Sequence, residues 1–208
     1  GWVAGKNLKY QYQSAQGNAA TAGQIVRKFI GDKADAIVAI ATPSAQAAAA
    51  ATSSVPIVFS AVTDPVAAKL VKDLKAPGGN VTGVSDRLPL APQVDLMLKV
   101  VPTAKRVGIV YSPGEINSTI LIKELKAVLA QRGMTLVSAA APRTVDVQAA
   151  TKSLVGKVDL IYSSTDNNVV SAYETMVRVA TDAKLPMIAA DTSSIKRGAV
   201  AALGMNYY

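Results

Sequence analysis

The chain has 208 residues, half of them apolar and only 17% charged, which is the composition of a folded domain with a sizeable core. Histidine and cysteine are both absent, and this excludes imidazole bases, thiol nucleophiles, Ser-His-Asp triads and the usual zinc or iron–sulfur ligand sets. The formal net charge of +8 comes from scattered Lys and Arg, so we interpret it as solvated surface rather than a nucleic-acid interface.

The first part of the chain alternates short apolar runs with helix-like segments. Residues 7–13 alternate apolar and polar side chains and predict a strand with one face less buried. Residues 18–30 repeat apolar side chains every three or four positions and predict an amphipathic helix that Gly31 closes. The segments that follow are a strand at 36–40, a helix at 44–52, a strand at 55–59, a short helix at 66–74 and a strand at 81–84.

The same theme restarts after a proline-containing stretch at residues 85–91, which we interpret as a crossing between two lobes. Short apolar runs that alternate with helices are typical of buried parallel strands, so the pattern predicts an α/β fold of two lobes. The elements predicted here are helices at 92–101, 118–132, 145–154 and 168–183, strands at 106–111, 135–139, 158–162 and 186–190, and a last apolar run at 199–203.

Polar loops follow five of the predicted strands, at the edge where open parallel sheets bind their ligands. Thr42 before Pro43 fits an N-cap, so the amides behind Ser44 form either a plain cap or an anion site. Capping explains Asn117 and Asn168, but explains Asp191 less well because no clear helix start follows it. The remaining candidates at these loops are Ser60, Ser118, Asp166 and Asn167.

The two lobes offer opposite chemistry at these loops. Helix-start amides and hydroxyls in the first lobe suit an anion, while the carboxylates of Asp166 and Asp191 in the second suit an ammonium group. A zwitterion held between the lobes would place its carboxylate at the first lobe and its ammonium group at the second. Neither a P-loop nor a dinucleotide-binding glycine motif is present, and without histidine or cysteine catalysis is disfavoured. Tyr111, Tyr162, Phe59 and Tyr207 are candidates either for an apolar ligand pocket or for plain core.

Six segments resemble the substrate-binding proteins of ABC importers, in the branch that includes tryptophan- and tyrosine-type amino-acid binders. They are GWVAGKN at 1–7, SAVTDPVAAKL at 60–70, PGGNVTGVSD at 77–86, KRVGIVYSPGEINS at 105–118, TDNNVV at 165–170 and GAVAALGMNYY at 198–208. The resemblance implies a type I periplasmic-binding fold, with two Rossmann-like lobes that trap a small ligand by hinge closure. It implies an amino acid as ligand, an aromatic one among the candidates.

The resemblance also implies which residues bind and where the protein works. Ser44, Ser60 and Ala61 would contribute from the first lobe, and Asn117, Ser118, Thr165, Asp166, Asn167 and Asp191 from the second. We expect Asp191 to receive the ligand's amino group, and hydroxyls and helix-start amides to receive its carboxylate. Implied partners are the small ligand and a membrane ABC permease, with no cofactor, no metal, no catalytic residue and no nucleic acid, in a periplasmic or exported and membrane-anchored protein.

The domain boundaries follow from the same resemblance. Residues 1–85 would form the first lobe, with 198–208 crossing back to it, and residues 86–197 would form the second. The family's first strand and helix and its C-terminal segment are not found in this sequence. We therefore expect a fragment of a longer gene product, or another segment that fills the gap beside the strands at 7–13 and 36–40.

Two other classes of function remain open at this point. The same fold serves as the ligand-sensing domain of regulators or receptors, which a helix-turn-helix segment before residue 1 or a membrane anchor after residue 208 would indicate. An enzyme of the doubly wound class is the third hypothesis, and turnover of an amino-acid or sugar derivative would support it.

Overall fold

A computed structural model describes residues 1–205 of the chain. It is an α/β protein with seven α-helices and eight strands among those residues. The helices are α1 (Ala19–Gly31), α2 (Thr42–Ala51), α3 (Leu90–Val100), α4 (Ile116–Ala130), α5 (Val147–Leu154), α6 (Asn167–Val170) and α7 (Tyr173–Asp182). The strands are β1 (Ile37–Ile40), β2 (Ile57–Val62), β3 (Val81–Ser85), β4 (Arg106–Tyr111), β5 (Thr135–Ala140), β6 (Leu160–Ser163), β7 (Met187–Asp191) and β8 (Ala201–Met205).

The strands form two parallel sheets, as the apolar runs predict. In the first lobe, β1, β2 and β3 pair in that order, and α1 and α2 pack on one face. In the second lobe, the order is β5-β4-β6-β7-β8. Core clusters cover both faces of this larger sheet, one built with α3 and α4 and the other with α5 and α7. The carboxyl ends of its strands therefore share one edge, where the polar loops follow.

The first-lobe sheet is covered on one face only in the described part of the chain. The side chains of β1 alternate, with Ile37 and Ala39 buried and Val38 and Ile40 exposed. Val58 on β2 and Val84 on β3 are exposed as well. Parallel sheets are normally covered on both faces, so this open apolar face departs from the usual arrangement.

Two predicted elements are wrong, and the single helix predicted at 168–183 is divided into α6 and α7. Residues 7–13 form no strand: the only pairing nearby is an isolated bridge between Ala4 and Leu8, and no strand among the described residues lies beside them to complete a ladder. Residues 66–74 form turns instead of a helix. Asp64 Oδ1 accepts the Ala67 N–H at 2.9 Å as an N-cap would, but Lys69 takes a φ of 59° and ends the helical path.

The last strand lies in the second lobe. β8 pairs in parallel with β7, with Ile188 opposite Ala201 and Ala189 opposite Ala202. The predicted crossing of residues 198–208 back to the first lobe is therefore not seen over 201–205, and residues 206–208 lie outside the described part. Within residues 1–205 no helix is both long and apolar enough to cross a membrane.

Candidate functional site

Asp166 joins the carboxyl ends of two neighbouring strands. It follows β6 and caps α6, with Oδ1 accepting the Val169 N–H at 2.9 Å. Its Oδ2 accepts the backbone N–H of Ser112 at 2.7 Å and the hydroxyl of Ser118 at 2.5 Å, which ties the end of β4 to the end of β6. Burial raises the pKa of Asp166, the neighbouring charge of Glu115 raises it further, and these hydrogen bonds oppose the rise.

Glu115 is a second buried carboxylate at this edge, at the N-cap position of α4. Its Oε2 accepts the Nδ2–H of Asn117 at 3.0 Å, and the backbone N–H and Nδ2–H of Asn167 at 3.1 and 2.8 Å. Its Oε1 accepts the backbone N–H of Asn168 at 3.0 Å. A carboxylate only accepts hydrogen bonds, and these four N–H donors compensate for its burial.

Three buried polar atoms near these carboxylates have no hydrogen-bond partner among the described residues: Asn117 Oδ1, Ser163 Oγ and Ser164 Oγ. The three side chains are 5%, 2% and 3% exposed. Nearly all buried polar groups in proteins are hydrogen-bonded to protein, water or a ligand, so these three atoms are available to a solvent molecule or a bound ligand at this sheet edge.

Asp191 ends β7 and caps the 3-10 helix Thr192–Arg197, so the prediction that no helix starts here is wrong. Its Oδ1 accepts the Ser194 N–H at 3.0 Å and the Ser193 hydroxyl, and its Oδ2 accepts the Ser194 hydroxyl at 2.6 Å. A carboxylate has about four acceptor positions, which leaves Asp191 room for one further donor.

Backbone strain marks the corresponding strand ends of the first lobe. Ala41, which follows β1, has a φ of 73°, and Ala61 in β2 has a φ of 54°, a region that costs non-glycine residues about 1–3 kcal/mol. Ala41, not Thr42, occupies the N-cap position of α2, and its N–H donates to Ser60 O at 2.9 Å. Ser44 is half-buried in the first turn of α2.

The two lobes meet across a crevice at these strand ends. Thr63 contributes from the first lobe, Arg87 from the crossing, and Leu121, Glu124 and Thr165 from the second. Ile116, at the start of α4, packs against the first-lobe core, which brings the two lobes into contact beside the site.

Arg87 also links the lobes through charge. Its Nη1 lies 3.1 Å from Asp64 Oδ2 in the first lobe, and its Nη2 contacts Glu124 Oε1 in the second. The apolar contact of Ile116 and the shared guanidinium group of Arg87 both hold the lobes together.

Of the four predicted aromatic residues, two lie in the core, and Tyr111 at the end of β4 is half-buried. Phe59 is buried in the first-lobe cluster, and Tyr162 in the second-lobe cluster, where its hydroxyl bonds Gln93 and burial raises its pKa. Tyr162 also lines the crevice, as do Gln93 and Ala190. Tyr207 lies outside the described residues.

The nine predicted site residues thus form three groups. Asn117, Ser118, Asp166 and Asn167 share one hydrogen-bond network, with Thr165 beside it. Asp191 forms its own cap, and Ser44, Ser60 and Ala61 have no hydrogen bond to either group within residues 1–205. Their role in binding stays a prediction. Sequence reasoning missed Ser112, Glu115, Ser163 and Ser164, although all four lie in the polar loops that it singled out.

Over residues 1–208 the sequence matches the family described as ABC transporter substrate binding protein. It is also 42% identical over 207 residues to a tyrosine-binding protein of Clostridioides difficile. The chain belongs to the ABC transporter substrate-binding protein family. This is a family of binding proteins and not of enzymes. The match covers 100% of this chain but only 60% of the curated relative, so the chain spans about three fifths of that protein's length.

Solved structures confirm the type I periplasmic-binding fold. A conserved domain protein from Vibrio cholerae is 50% identical with a TM-score of 0.96, covering 99% of this chain and 69% of that one. A Streptococcus pneumonia ABC domain in complex with L-Trp is 35% identical with a TM-score of 0.92, covering 96% and 69%. The ligand-free, open structure of a substrate-binding protein with adhesive properties from Clostridium difficile is 41% identical with a TM-score of 0.64, covering 100% and 70%.

Proposed function

We propose that this protein traps an aromatic amino acid between its two lobes by hinge closure and delivers it to a membrane ABC permease from the outer side of the membrane. The observation that carries the proposal is the buried network of Glu115 and Asp166, with its unpaired neighbours, beside the crevice that both lobes share. The protein acts as a receptor and catalyses no reaction.

The similar proteins support an aromatic ligand. One relative is named for tyrosine and another was solved with L-Trp, and both exceed 30% identity to this chain. In the proposed arrangement the amides at the start of α2, with Ser44 and Ser60, take the ligand's carboxylate. Asp191 and the acceptors of the second lobe take its amino group.

Two comparisons support hinge closure. The chain superimposes well on the L-Trp complex but poorly on the ligand-free, open relative, although the open relative is more similar in sequence. Sequence divergence therefore does not account for the poorer fit, and a different angle between two conserved lobes is consistent with it, which supports the proposed closure. The contact of Ile116 with the first-lobe core is consistent with a closed arrangement.

Isothermal titration calorimetry on the full-length protein tests the proposal, with L-tryptophan, L-tyrosine, L-leucine and D-glucose as ligands. We expect the two aromatic amino acids to bind with a dissociation constant near 1 μM, about −8 kcal/mol, and glucose not to bind. At 100 times the dissociation constant, binding stabilises the folded state by about 2.7 kcal/mol, which a thermal-shift assay detects. Binding of glucose alone would overturn the proposal and the role of Asp191 with it.

A further inference from the structure

Glu115 controls which end of two asparagine amides faces outward. A side-chain amide has a donor end and an acceptor end, and either end is free to turn toward a neutral partner. The carboxylate of Glu115 has no proton to donate, so it accepts only the Nδ2–H ends, from Asn117 at 3.0 Å and Asn167 at 2.8 Å. Both carbonyl oxygens consequently point away from Glu115.

The carbonyl oxygen of Asn117 is an unused acceptor in an enclosed place. Its side chain is 5% exposed, and Oδ1 has no donor in the part of the chain that the structure describes. Asn117 lies one helical turn before Leu121 on α4, and Leu121 and Glu124 on the same side of α4 line the crevice between the lobes. The unused acceptor therefore belongs to the helix face that meets the crevice.

We propose that Glu115 is a positioning residue that fixes the amides of Asn117 and Asn167, so that the second lobe presents carbonyl oxygens to the amino group of the ligand. This inference rests on the proposed function and adds a chemical requirement to it. The molecule bound here must carry an N–H donor at this end, as an α-ammonium group does. A ligand with only a carboxylate at this end leaves the Asn117 oxygen without a partner.

The substitution Glu115→Gln keeps the size of the side chain but gives it a donor as well as an acceptor. At least one of the surrounding N–H groups then faces another N–H group, and the two asparagine amides no longer have a single favoured orientation. The readout is the dissociation constant of the des-amino analogue 3-(4-hydroxyphenyl)propionate divided by that of L-tyrosine, both measured by calorimetry on the full-length protein. We expect the preference for L-tyrosine to fall about tenfold or more in the variant.

This ratio separates positioning from general damage to the site. A purely structural role of Glu115 weakens both ligands equally and leaves the ratio unchanged, and that result would overturn the inference. Asn117→Ala removes the acceptor itself, so it lowers the ratio even if Glu115→Gln fails to fold. The double variant is expected to lower the ratio by less than the product of the two single effects, because both changes act on the Asn117 acceptor while Glu115→Gln also releases the Asn167 amide. Glu174→Gln, an exposed site on α7, serves as the matched control with an unchanged ratio.

A ligand-independent measurement keeps this inference separate from the proposed function. If the wild type binds neither aromatic amino acid, the proposed function fails while the amide orientation is still measurable. The side-chain NH₂ protons of Asn117, hydrogen-bonded to Glu115, exchange slowly with solvent in the wild type, and Glu115→Gln speeds their exchange. Identical exchange in both proteins would show that Glu115 does not hold the amide.

Discussion

Asp159 ties β4 to β6 at their amino ends, much as Asp166 does at their carboxyl ends. Its Oδ2 accepts the backbone N–H groups of Lys105 and Arg106, both at 2.8 Å, and its Oδ1 accepts Arg106 Nη2 at 2.7 Å. The Arg106 side chain and the Lys105 amide lower the pKa of Asp159 to about 2. The two aspartates differ because Asp159 is paired with a cation and partly solvated, whereas Asp166 is buried beside a second carboxylate.

The lowered pKa of Asp159 predicts a pH-dependent cost for its substitution. A group whose pKa is lower in the folded state stabilises the fold above its unfolded pKa, and that stability is lost as the pH falls through the folded value. We expect Asp159→Asn to reduce the free energy of unfolding by about 1–3 kcal/mol at pH 7. In urea titrations, the difference in free energy of unfolding between Asp159→Asn and wild type should become smaller as the pH falls from 5 to 2.

Asp182→Asn is the matched control for this experiment, since Asp182 is an exposed aspartate at the end of α7. Its substitution is expected to change stability by less than about 0.5 kcal/mol at either pH. If the difference in free energy of unfolding between Asp159→Asn and wild type stays constant down to pH 2, the lowered pKa of Asp159 is not the source of the stabilisation.

At the scale of elements, the sequence predicts the alternation of strands and helices, because apolar runs and their spacing encode it locally. The strands β1 to β8 all begin and end within a few residues of their predictions. The two wrong predictions have different causes. No strand among residues 1–205 pairs with residues 7–13, and a positive φ at Lys69 ends the helical path in residues 66–74. Glu115 was not predicted because its backbone partners, Asn167 and Asn168, lie 52 and 53 residues away in sequence, and a local pattern does not show such contacts.

Gly83 fixes how closely β3 approaches β2. It lies opposite Phe59 with a φ of 158°, and a Cβ atom there would stand 2.1 Å from Phe59 O and 2.6 Å from its ring. We expect Gly83→Ala to reduce the free energy of unfolding by about 2–4 kcal/mol, through overpacking and backbone strain together. Chemical denaturation measures the change.

Gly31→Ala provides the comparison for Gly83→Ala, because a Cβ at Gly31 meets nothing within 4 Å and the residue lies at the end of α1. It is expected to be neutral or slightly stabilising. Equal effects of the two substitutions would show that the close approach of β2 and β3 is not what requires glycine at position 83.

At the scale of the whole molecule, the relation between the lobes decides the proposed function. The sequence predicts the crossing at residues 85–91 but not its contacts, because these depend on the angle between two separately folded lobes. Arg87 in that crossing contacts Asp64 and Glu124, one in each lobe. Half-exposed ion pairs add little to folding stability, about 0–1 kcal/mol, yet this pair of contacts exists only while the lobes are together.

Arg87→Gln is therefore expected to leave the melting temperature almost unchanged and to speed ligand release by about two- to fivefold. Stopped-flow dissociation of the bound amino acid measures the rate. The difference from wild type should shrink in 1 M salt, where the screening length falls to about 3 Å. Arg143→Gln, whose partner Asp146 lies three residues away in the same lobe, controls for the loss of one positive charge. If Arg87→Gln releases the bound amino acid at the wild-type rate, Arg87 does not contribute to holding the lobes closed.

The face of β1–β3 that residues 1–205 leave uncovered has a consequence for handling a protein of this sequence. Val38, Ile40, Val58 and Val84 present a strip of hydrocarbon to solvent, with exposures of 66%, 57%, 41% and 69%. An exposed apolar strip of this kind promotes self-association, so the fraction of associated protein would rise with protein concentration. The dye ANS fluoresces when it binds exposed apolar surface. If the strip is buried by self-association, ANS fluorescence per protein molecule should rise as the sample is diluted.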